Sequence, residues 1–386
     1  MTVQPVPVQV DIYRTAIPMR RFEHAAASRD VAEAVVLRLE LSDPPAGRGQ
    51  AGGAVGWGET LPRPYVTGET LETVPRDVEQ LLWEAARRGD PQGKDLPAAD
   101  GGRPITAARC AVELALGSAC ERSGLHVAPG MPGGAFPSVR VSGVLGAADP
   151  GRTASRLRRM RWYGLRDFKL KLGFGQEVDG ENLRLVHRRI GKAVAEGKCT
   201  LRVDVNGGWR PDETPDRVAA LKPRGVCVVE QPVFGPPEAL IELAQRCRLP
   251  LMADESLITI ADAKQLISAA GEKVWLNIRL SKNGGIWPCL SMAEAAAEAG
   301  VPFVIGCMVG ESSILSAAQR RLLWRCPLPR FVEGNYDKFL LADDLTARSL
   351  RFGYGGKIRS PLRGLHAAVD PRRLRRYGRL IQTLRA

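Results

Sequence analysis

Three acidic residues that each end a short apolar run are the first candidates for chemistry in this sequence. Asp204 follows TLRV, Glu230 follows VCVV and Asp254 follows LPLMA. If these runs are parallel strands, their carboxyl ends meet at one edge, where catalytic residues of such folds collect. Carboxylates buried together repel each other unless a cation neutralises them. Hard oxygen donors suit Mg²⁺, or Mn²⁺, better than zinc. We therefore expect a divalent cation beside these residues.

Cationic side chains lie before and after the carboxylates along the chain. Lys169 and Lys171 belong to the run DFKLKLG, and strand alternation places both on one face. Arg279 and Lys282 belong to the later run VWLNIRLSKNGG. Two lysines alone usually lie on a face that is exposed to solvent. These lysines are informative because they occur together with carboxylates on the neighbouring strands. Together they indicate a catalytic site at the ends of the strands.

Eight apolar runs of this kind follow one another, beginning about 20 to 30 residues apart, the length of one strand and one returning helix. The runs are SVRVSGVLG, DFKLKLG, TLRVDVNGGW, VCVVEQPV, LPLMADESL, VWLNIRLSKNGG, PFVIGCMVGESS and RFVEGNY. Eight parallel strands that alternate with helices close into a barrel. A doubly wound open sheet is the alternative, but no GxGxxG phosphate loop follows the first run. The pattern predicts a barrel.

The segments outside the eight runs indicate a second domain. Residues 1–130 contain two alternating stretches, VQVDIYRTAI and EAVVLRLELS, and two helical stretches, RDVEQLLWEAARR and ITAARCAVELALGSACERSG. A segment rich in proline and glycine, Pro129–Ser138, follows them. We expect an α+β domain over 1–130 that is completed by 355–386, and a barrel domain over 131–354.

Composition excludes several classes of protein. The 386 residues are 44% hydrophobic and 25% charged, which is typical of a globular protein. A net charge of +13 would favour binding to polyanions such as nucleic acids. The arginines are spread along the chain and do not form one basic patch, so we expect no nucleic acid as partner. No apolar run reaches the roughly 18 residues of a membrane span, and the start of the chain lacks a secretory pattern. We expect a cytoplasmic protein that does not bind membranes.

The motifs around the candidate residues resemble those of the enolase superfamily, specifically its muconate-lactonising enzyme subgroup. The matching motifs are KLK at 169–171, DVNGGW from Asp204, VEQP around Glu230, ADES around Asp254 and NIRLSKNGG around Arg279. The resemblance covers nearly the whole chain. It implies an α/β fold, a modified (β/α) TIM-type barrel with an α+β N-terminal capping domain. It also implies a homo-oligomer that acts on a small-molecule carboxylate.

The same resemblance implies a role for each matching residue. Asp204, Glu230 and Asp254 would ligate Mg²⁺, Lys171 would be the acid/base on one face of the substrate, and Lys169 would assist it. Enolase-superfamily sites in general pair a Lys or His base with one or two Mg²⁺ ions, because removing a proton α to a carboxylate creates an enediolate with two negative charges. We therefore expect α-proton abstraction through an enediolate intermediate.

One position departs from the pattern of the family members that racemise or epimerise. Those members carry a second lysine where this chain has Arg279, whose guanidinium is permanently charged and accepts protons poorly. Lys282 might substitute for that lysine, but it lies three residues further on, where strand alternation turns it to the other side unless the strand has ended. We therefore expect one-base chemistry, such as cycloisomerisation or a syn elimination of the dehydratase or synthase type. An amino-acid or dipeptide racemase or epimerase is the alternative, and a catalytically inactive barrel that binds a ligand or polyanion is another.

Three further residues are candidates for contact with the substrate: Asn206, Glu311 and Asp337. Dipeptide epimerases of the family typically hold an ammonium group with Asp-x-Asp on the eighth run, where this chain has Asn335-Tyr336-Asp337. Glu311 in GCMVGESS is either a hydrogen-bonding or proton-carrying group or a cap of the next helix. Candidate lid residues, whose charge suits a further substrate anion, are 19–21 and 63–65.

Overall fold

The N-terminal part of the chain combines an antiparallel sheet with helices. The computed structural model of the protein describes residues 7–24, 27–42, 53–124, 136–146, 148–359 and 368–385. Its first elements are β1 (Pro7–His24), β2 (Ala27–Leu41), β3 (Val55–Thr60), α1 (Pro64–Thr67), α2 (Val74–Arg88), β4 (Ala99–Asp100), β5 (Arg103–Pro104) and α3 (Thr106–Arg122). The alternating and helical stretches of the sequence correspond to β1, β2, α2 and α3.

From residue 143 onward, strands and helices alternate. The strands are β6 (Gly143–Leu145), β7 (Asp167–Lys171), β8 (Thr200–Asp204), β9 (Val226–Glu230), β10 (Leu251–Ala253), β11 (Val274–Ile278), β12 (Phe303–Ile305) and β13 (Phe331–Val332). The helices between and after them are α4 (Pro150–Trp162), α5 (Gln176–Ala195), α6 (Thr214–Leu221), α7 (Pro237–Arg246), α8 (Ile260–Ala270), α9 (Leu280–Asn283), α10 (Ile286–Glu298), α11 (Ser313–Arg325) and α12 (Asp337–Leu340). The last elements are α13 (Pro371–Tyr377) and β14 (Gly378–Arg385).

The eight strands β6 to β13 form one parallel sheet in chain order. The sheet closes on itself where Val141, just before β6, bridges Val332 of β13, and the Ser142 amide donates to the Val332 carbonyl at 2.8 Å. These strands are the eight apolar runs of the sequence. The barrel prediction is therefore confirmed, and the alternative of an open doubly wound sheet is wrong.

The barrel strands are apolar because both of their faces are covered. All five residues of β11 are buried, as expected for a strand with side chains inside the barrel on one face and helices on the other. Local signals fix where the helices begin: Thr259 and Asp262 form a reciprocal capping box at the start of α8. Among the described residues, no helix is sufficiently long and apolar to span a bilayer.

The two ends of the chain meet in the antiparallel sheet, whose strand order is β14-β1-β2-β3. Gln9 pairs with Arg385 and Thr15 with Gly378, so β14 adds an edge strand to the N-terminal sheet. The long strand β1 continues beyond this pairing to the cavity described below. The C-terminal strand therefore supports the segment that carries residues 20 to 22.

Buried polar contacts join the N-terminal sheet to the barrel. Glu59 of β3 accepts hydrogen bonds from the amide and hydroxyl of Ser312, at 3.0 and 2.7 Å, and from the Leu315 amide at 3.1 Å. These donors lie at the start of α11, where helix N–H groups lack partners within the helix. Thr60 is 2.9 Å from the Ser281 hydroxyl of α9. The junction is therefore specified by hydrogen bonds as well as by apolar packing.

Replacing Glu59 should destabilise this junction. Glu59→Ala removes the acceptor for Ser312 and Leu315 and leaves buried donors unsatisfied, so we expect a loss of about 2 kcal/mol or more in the free energy of unfolding. Urea denaturation followed by circular dichroism measures it. The matched control is Glu72→Ala, which removes an exposed ion pair with Arg14 and should change stability by less than about 0.5 kcal/mol. Equal losses in the two variants would contradict the assignment.

Candidate active site

The strands β7, β8 and β9 are in register at their carboxyl ends. Lys171 pairs with Asp204, and Asp204 pairs with Glu230. Side chains at paired positions of neighbouring parallel strands point to the same side, so these three form one row at the end of the barrel where active sites of this fold occur. Asp254 directly follows β10, the next strand around the barrel. The strand order therefore assembles the three carboxylates predicted from the sequence.

Two cations link the buried carboxylates. The ammonium nitrogen of Lys169 lies 3.4 Å from Asp204 and 3.1 Å from Glu230. The guanidinium of Arg279 contacts Glu230 at 3.2 Å and also contacts Asp254. All three carboxylates are inaccessible to solvent. Because water cannot reach and solvate these negative charges, they depend on the positive charges of Lys169 and Arg279 for stabilisation.

Burial and mutual repulsion set the ionisation of the row. Burial, together with the negative charge of Asp204, raises the pKa of Glu230 to about 8. Asp204 shifts the other way, because the nearby Lys171 and Lys169 outweigh its burial and lower its pKa. The pKa values of these two neighbouring carboxyls are therefore pushed apart, and Glu230 is the more readily protonated of the two.

Lys169 is held by acidic groups on several sides. Its nitrogen also lies 2.8 Å from Glu333, the residue after β13. Burial alone would lower the pKa of Lys169, but Glu230, Glu333 and Asp204 raise it on balance. Lys169 therefore stays an ammonium ion that fixes the carboxylates in place. Glu333 is in turn bound by Arg202 at 2.7 Å.

Lys171 faces the cavity from the same strand. Its nitrogen donates to Asp204 at 2.9 Å and to the Asn206 side-chain oxygen at 2.6 Å, and it lies 5.8 Å from the ring centre of Phe22. Asn206 has a backbone φ of 47°, a left-handed conformation that asparagine tolerates better than most residues. This turn after β8 brings the amide back to Lys171. Asn206 and Asp204 thus orient the amine.

Arg279 and Lys282 follow β11. In a closed ring of eight strands, β11 is four positions from β7, so Arg279 lies across the barrel from Lys171. The strand ends at Ile278 and the short helix α9 follows, so the exception stated for Lys282 applies and strand alternation does not decide its direction. Lys282 donates to the side chain and carbonyl of Asp254, at 3.0 and 2.6 Å. These hydrogen bonds fix the position of Asp254. Burial lowers the pKa of Lys282.

The candidate substrate residues Glu311 and Asp337 both line the cavity. Glu311 accepts the Met308 amide at 2.6 Å, and burial raises its pKa to about 8. It does not cap α11, because Ser312 performs that role. Asp337 accepts hydrogen bonds from Ser313, at 3.4 Å, and from another serine, and burial raises its pKa to about 6. Both groups are carboxyls able to carry a proton near neutral pH.

Asn335 stands at the first Asp position of the Asp-x-Asp pattern, and its side chain is bonded away from the charged groups of the cavity. The Asn335 side chain bonds Gln319 at 2.6 Å and Arg320 at 3.0 Å. Tyr336 donates its hydroxyl proton to the Ser142 carbonyl. This segment therefore presents one carboxyl to the cavity where a pair would be needed to hold an ammonium group by two charges.

The candidate lid residues divide into two groups. Arg20 and Arg21 line the cavity from β1. Arg63 does not, because it is buried and donates to the carbonyls of Pro62 at 3.0 Å and Val309 at 3.3 Å. The prediction that both segments contact substrate is therefore wrong for Arg63, whose hydrogen bonds join the N-terminal part to the loop after β12.

A cavity of about 450 Å³ opens over this constellation, which is large enough for a small organic substrate. Its floor includes Lys169, Lys171 and Arg279, whose charged groups cover the carboxylates beneath. Aromatic residues form part of its wall, among them Phe22 and Tyr336. A substrate in the cavity would meet Lys171 on one side and Arg279 on the other.

The donor set fits a divalent cation by its chemistry. Asp204, Glu230 and Asp254 offer hard carboxylate oxygens of the kind that Mg²⁺ prefers. In the conformation described, no three acidic, His or Cys side chains within the described ranges stand close enough together to hold a metal ion. The charged groups of Lys169 and Arg279 lie between them. Asp204, Glu230 and Asp254 would hold the ion, and Arg279 contacts two of them.

Sequence reasoning missed two polar residues of the site. Glu333 follows the eighth apolar run just as Asp254 follows the fifth, so the same rule identifies it. Asn277 donates to Glu230 at 2.8 Å. Strand alternation places Asn277 on the face of Arg279, which was the available signal. Asn277 thus holds Glu230 directly, and Glu333 acts on the carboxylate row through Lys169.

Comparison with known proteins relates the chain to a family of enzymes. A family model described as enolase C-terminal domain-like matches residues 152–372. The chain is similar to the N-succinyl-L-Arg/Lys racemase of Bacillus cereus, with 28% identity over 324 residues that cover 80% of this chain and 81% of that protein. It is also similar to the L-Lys-D/L-Arg epimerase of Methylococcus capsulatus, with 32% identity over 300 residues covering 74% and 81%.

A solved structure shares the fold over almost its whole length. The dipeptide epimerase from Cytophaga hutchinsonii, complexed with Mg and the dipeptide D-Ala-L-Val, superposes with a TM-score of 0.80 at 21% identity, covering 98% of this chain and 99% of that chain. The family model spans more than half of the chain, and the sequence relatives cover most of it. The chain therefore belongs to the enolase superfamily, among its members similar to mandelate racemase and muconate lactonizing enzyme.

Proposed function

We propose that the protein is an isomerase that moves the α-proton of an amino-acid derivative or a dipeptide, as a racemase or epimerase. The observation that carries the proposal is the placement of Lys171 in the cavity floor, beside Asp204 and in register with the carboxylate row. The relatives described above, a racemase and an epimerase, support this reaction over the cycloisomerase expected from the sequence.

Each side chain has a part in the proposed proton transfer. Lys171, oriented by Asp204 and Asn206, takes the proton from the α-carbon. The abstraction concentrates negative charge on the substrate carboxylate, which the cations at the cavity floor stabilise. Mg²⁺, when bound by Asp204, Glu230 and Asp254, supplies Lewis-acid stabilisation of that charge. Lys169 stays charged and keeps the row together.

The N-terminal part would act as a cap. We propose that residues 1–130 and 355–386 form this domain and that 131–354 form the catalytic barrel. The cavity wall supports the division, because Arg20, Arg21 and Phe22 of β1 line it together with the strand-end residues of the barrel.

Arg279 favours a second candidate function, one-base chemistry. It lines the cavity across from Lys171. Burial alone would lower the pKa of Arg279, but the negative charges of Asp254 and Glu230 outweigh burial and raise it above its usual value. A guanidinium in this position binds an anion and does not accept a proton. Cycloisomerisation or syn elimination needs one proton carrier only. For inversion, Glu311 is the candidate second proton carrier, because it lines the cavity and binds the Met308 backbone, while Arg279 contacts the Met308 sulfur at 3.7 Å.

Isotope exchange in D₂O separates the two candidate functions. With Mg²⁺ and N-acyl amino acids or dipeptides, an epimerase gives deuterium at the α-carbon together with loss of configuration, measured by mass spectrometry and polarimetry. Glu311→Gln should then preserve exchange by Lys171 and slow inversion by about tenfold or more. Exchange with retained configuration in the unmodified protein would favour one-base chemistry. No exchange with any of these substrates would overturn the proposal.

Removing the amine of Lys171 should abolish exchange. Lys171→Ala takes away the group that receives the α-proton, so we expect kcat for exchange to fall by about 10²-fold or more, with the fold unchanged by circular dichroism. Lys222→Ala, at a lysine outside the cavity, is the matched control and should keep full activity. Unimpaired exchange in Lys171→Ala would show that another group carries the proton.

Mg²⁺ should stabilise the folded protein through the three carboxylates. An ion that binds only the folded state at a hundredfold excess over its Kd adds roughly 2.7 kcal/mol, so Tm should rise. Asp254→Asn removes one ligand charge and should greatly reduce that rise, whereas Asp212→Asn, at an exposed surface ion pair, should leave it intact. Differential scanning calorimetry with and without a chelator measures it. A rise that is equal in both variants would place the ion elsewhere.

A further inference from the structure

The loop that joins β12 to α11 forms one side of the cavity. Its residues 307–311 all line the cavity, and the last of them is Glu311, the candidate second proton carrier. The Met308 amide donates to the Glu311 side chain at 2.6 Å, and the Glu311 amide donates to the Met308 carbonyl at 3.4 Å. The loop is therefore a tight turn, and the position of its backbone decides where the Glu311 carboxyl lies.

Arg63, which lies outside the cavity lining, holds this turn from the N-terminal part of the chain. It is 3% exposed and donates to the Val309 carbonyl at 3.3 Å. The same guanidinium donates to the carbonyls of Pro62, at 3.0 Å, and of Glu33 in β2, at 3.3 Å. A guanidinium offers several donors in a fixed geometry, so one side chain ties the middle of the turn to two N-terminal segments.

Two further contacts seat the turn on the same part of the chain. Gly310 has a φ of 101°, and a Cβ atom added there would lie 2.7 Å from the Cβ of Ala32 in β2, so only glycine permits this approach. The Ser312 amide donates to Glu59 of β3 at 3.0 Å. Glu311 is therefore flanked on both sides by residues that the N-terminal part holds in place.

The charge of Arg63 also acts on Glu311. Burial raises the pKa of Glu311 to about 8, and the negative charge of Glu59 adds to this effect, whereas the positive charges of Arg279 and Arg63 oppose it. Arg279 lines the cavity and Arg63 does not. Glu311 thus interacts with one cation in the cavity and with a second one that is buried outside its lining.

We infer that Arg63 is a positioning residue, which holds Glu311 in place for proton transfer on the face of the α-carbon opposite Lys171. This inference rests on the proposed function and goes beyond it, because it makes inversion depend on a residue that does not touch the substrate. Proton transfer requires hydrogen-bond reach, and a displacement of about 1 Å can cost about 10²-fold in rate. Loss of Arg63 should therefore slow the step of Glu311 and spare that of Lys171.

The test measures the two proton transfers separately. Both enantiomers of each N-acyl amino acid and dipeptide used above are incubated with Mg²⁺ in D₂O. For the enantiomer whose α-proton faces Lys171, deuterium uptake with retained configuration reports Lys171, and inversion reports Glu311. We expect Arg63→Gln to slow inversion by about tenfold or more and to change exchange with retention by less than about twofold. Arg63→Lys keeps a charged donor, so it should show a smaller loss in the same direction.

A double variant shows whether Arg63 acts through Glu311. In the Glu311→Gln background, Arg63→Gln should slow inversion by less than about twofold more, because the group that Arg63 positions is already absent. Losses that multiply in full would show that the two residues act independently, and they would overturn the inference.

Hydrogen exchange of the protein alone gives a readout that does not depend on the reaction. Arg63→Gln should raise deuterium uptake in a peptide that covers residues 306–312, measured by mass spectrometry. Arg109→Gln is the matched control, because Arg109 is also a buried arginine of the N-terminal part and donates to the carbonyl of Gly284, in a different barrel loop. It should change neither this uptake nor the ratio of inversion to exchange.

The outcomes separate the inference from the proposed function. Equal losses of inversion and of exchange with retention in Arg63→Gln would overturn the inference alone, as would unchanged deuterium uptake in residues 306–312. Exchange without inversion in the unmodified protein would contradict the racemase or epimerase reaction and, with it, the part assigned to Glu311.

Discussion

Three carboxylates buried side by side are the constraint on which the rest of the active site depends. Removing Asp204, Glu230 and Asp254 from water is unfavourable unless positive charge lies close to each of them. Lys169 of β7 and Arg279, which directly follows β11, supply this positive charge. A parallel barrel makes this possible, because it brings the ends of strands that are distant in the chain to one rim.

The features predictable from the sequence are those governed by strand geometry. Period-two alternation and the apolar runs predict eight strands and the charged residues that end them, and the same rule extends to Glu333. The rule does not reach Lys282, because β11 stops at Ile278 and Lys282 lies in the short helix that follows. Arg63 also lies outside it, because its burial depends on how the N-terminal part of the chain packs on the loop after β12, where it donates to the Val309 carbonyl.

Arg279 changes two properties of the site at once. It places a permanent charge where a lysine would be able to exchange a proton, and it occupies carboxylate oxygens that a divalent ion would need. Both effects have the same physical origin, since a guanidinium never loses its charge and forms several directed hydrogen bonds. Asp204, Glu230 and Asp254 would hold Mg²⁺, and Arg279 contacts two of these three carboxylates. A substrate carboxylate in the cavity would be a further anionic partner for Arg279.

The long strand β1 connects both ends of the chain to the cavity. Its residues Arg20, Arg21 and Phe22 line the cavity together with side chains from the ends of the barrel strands. Because β14 pairs with β1, the C-terminal end of the chain supports the same strand. The buried carboxylates lie instead at the ends of β8, β9 and β10, and Lys169 and Arg279 hold them there. Substitutions on β1 can therefore alter the lining of the cavity without disturbing the balance of buried charges at the strand ends.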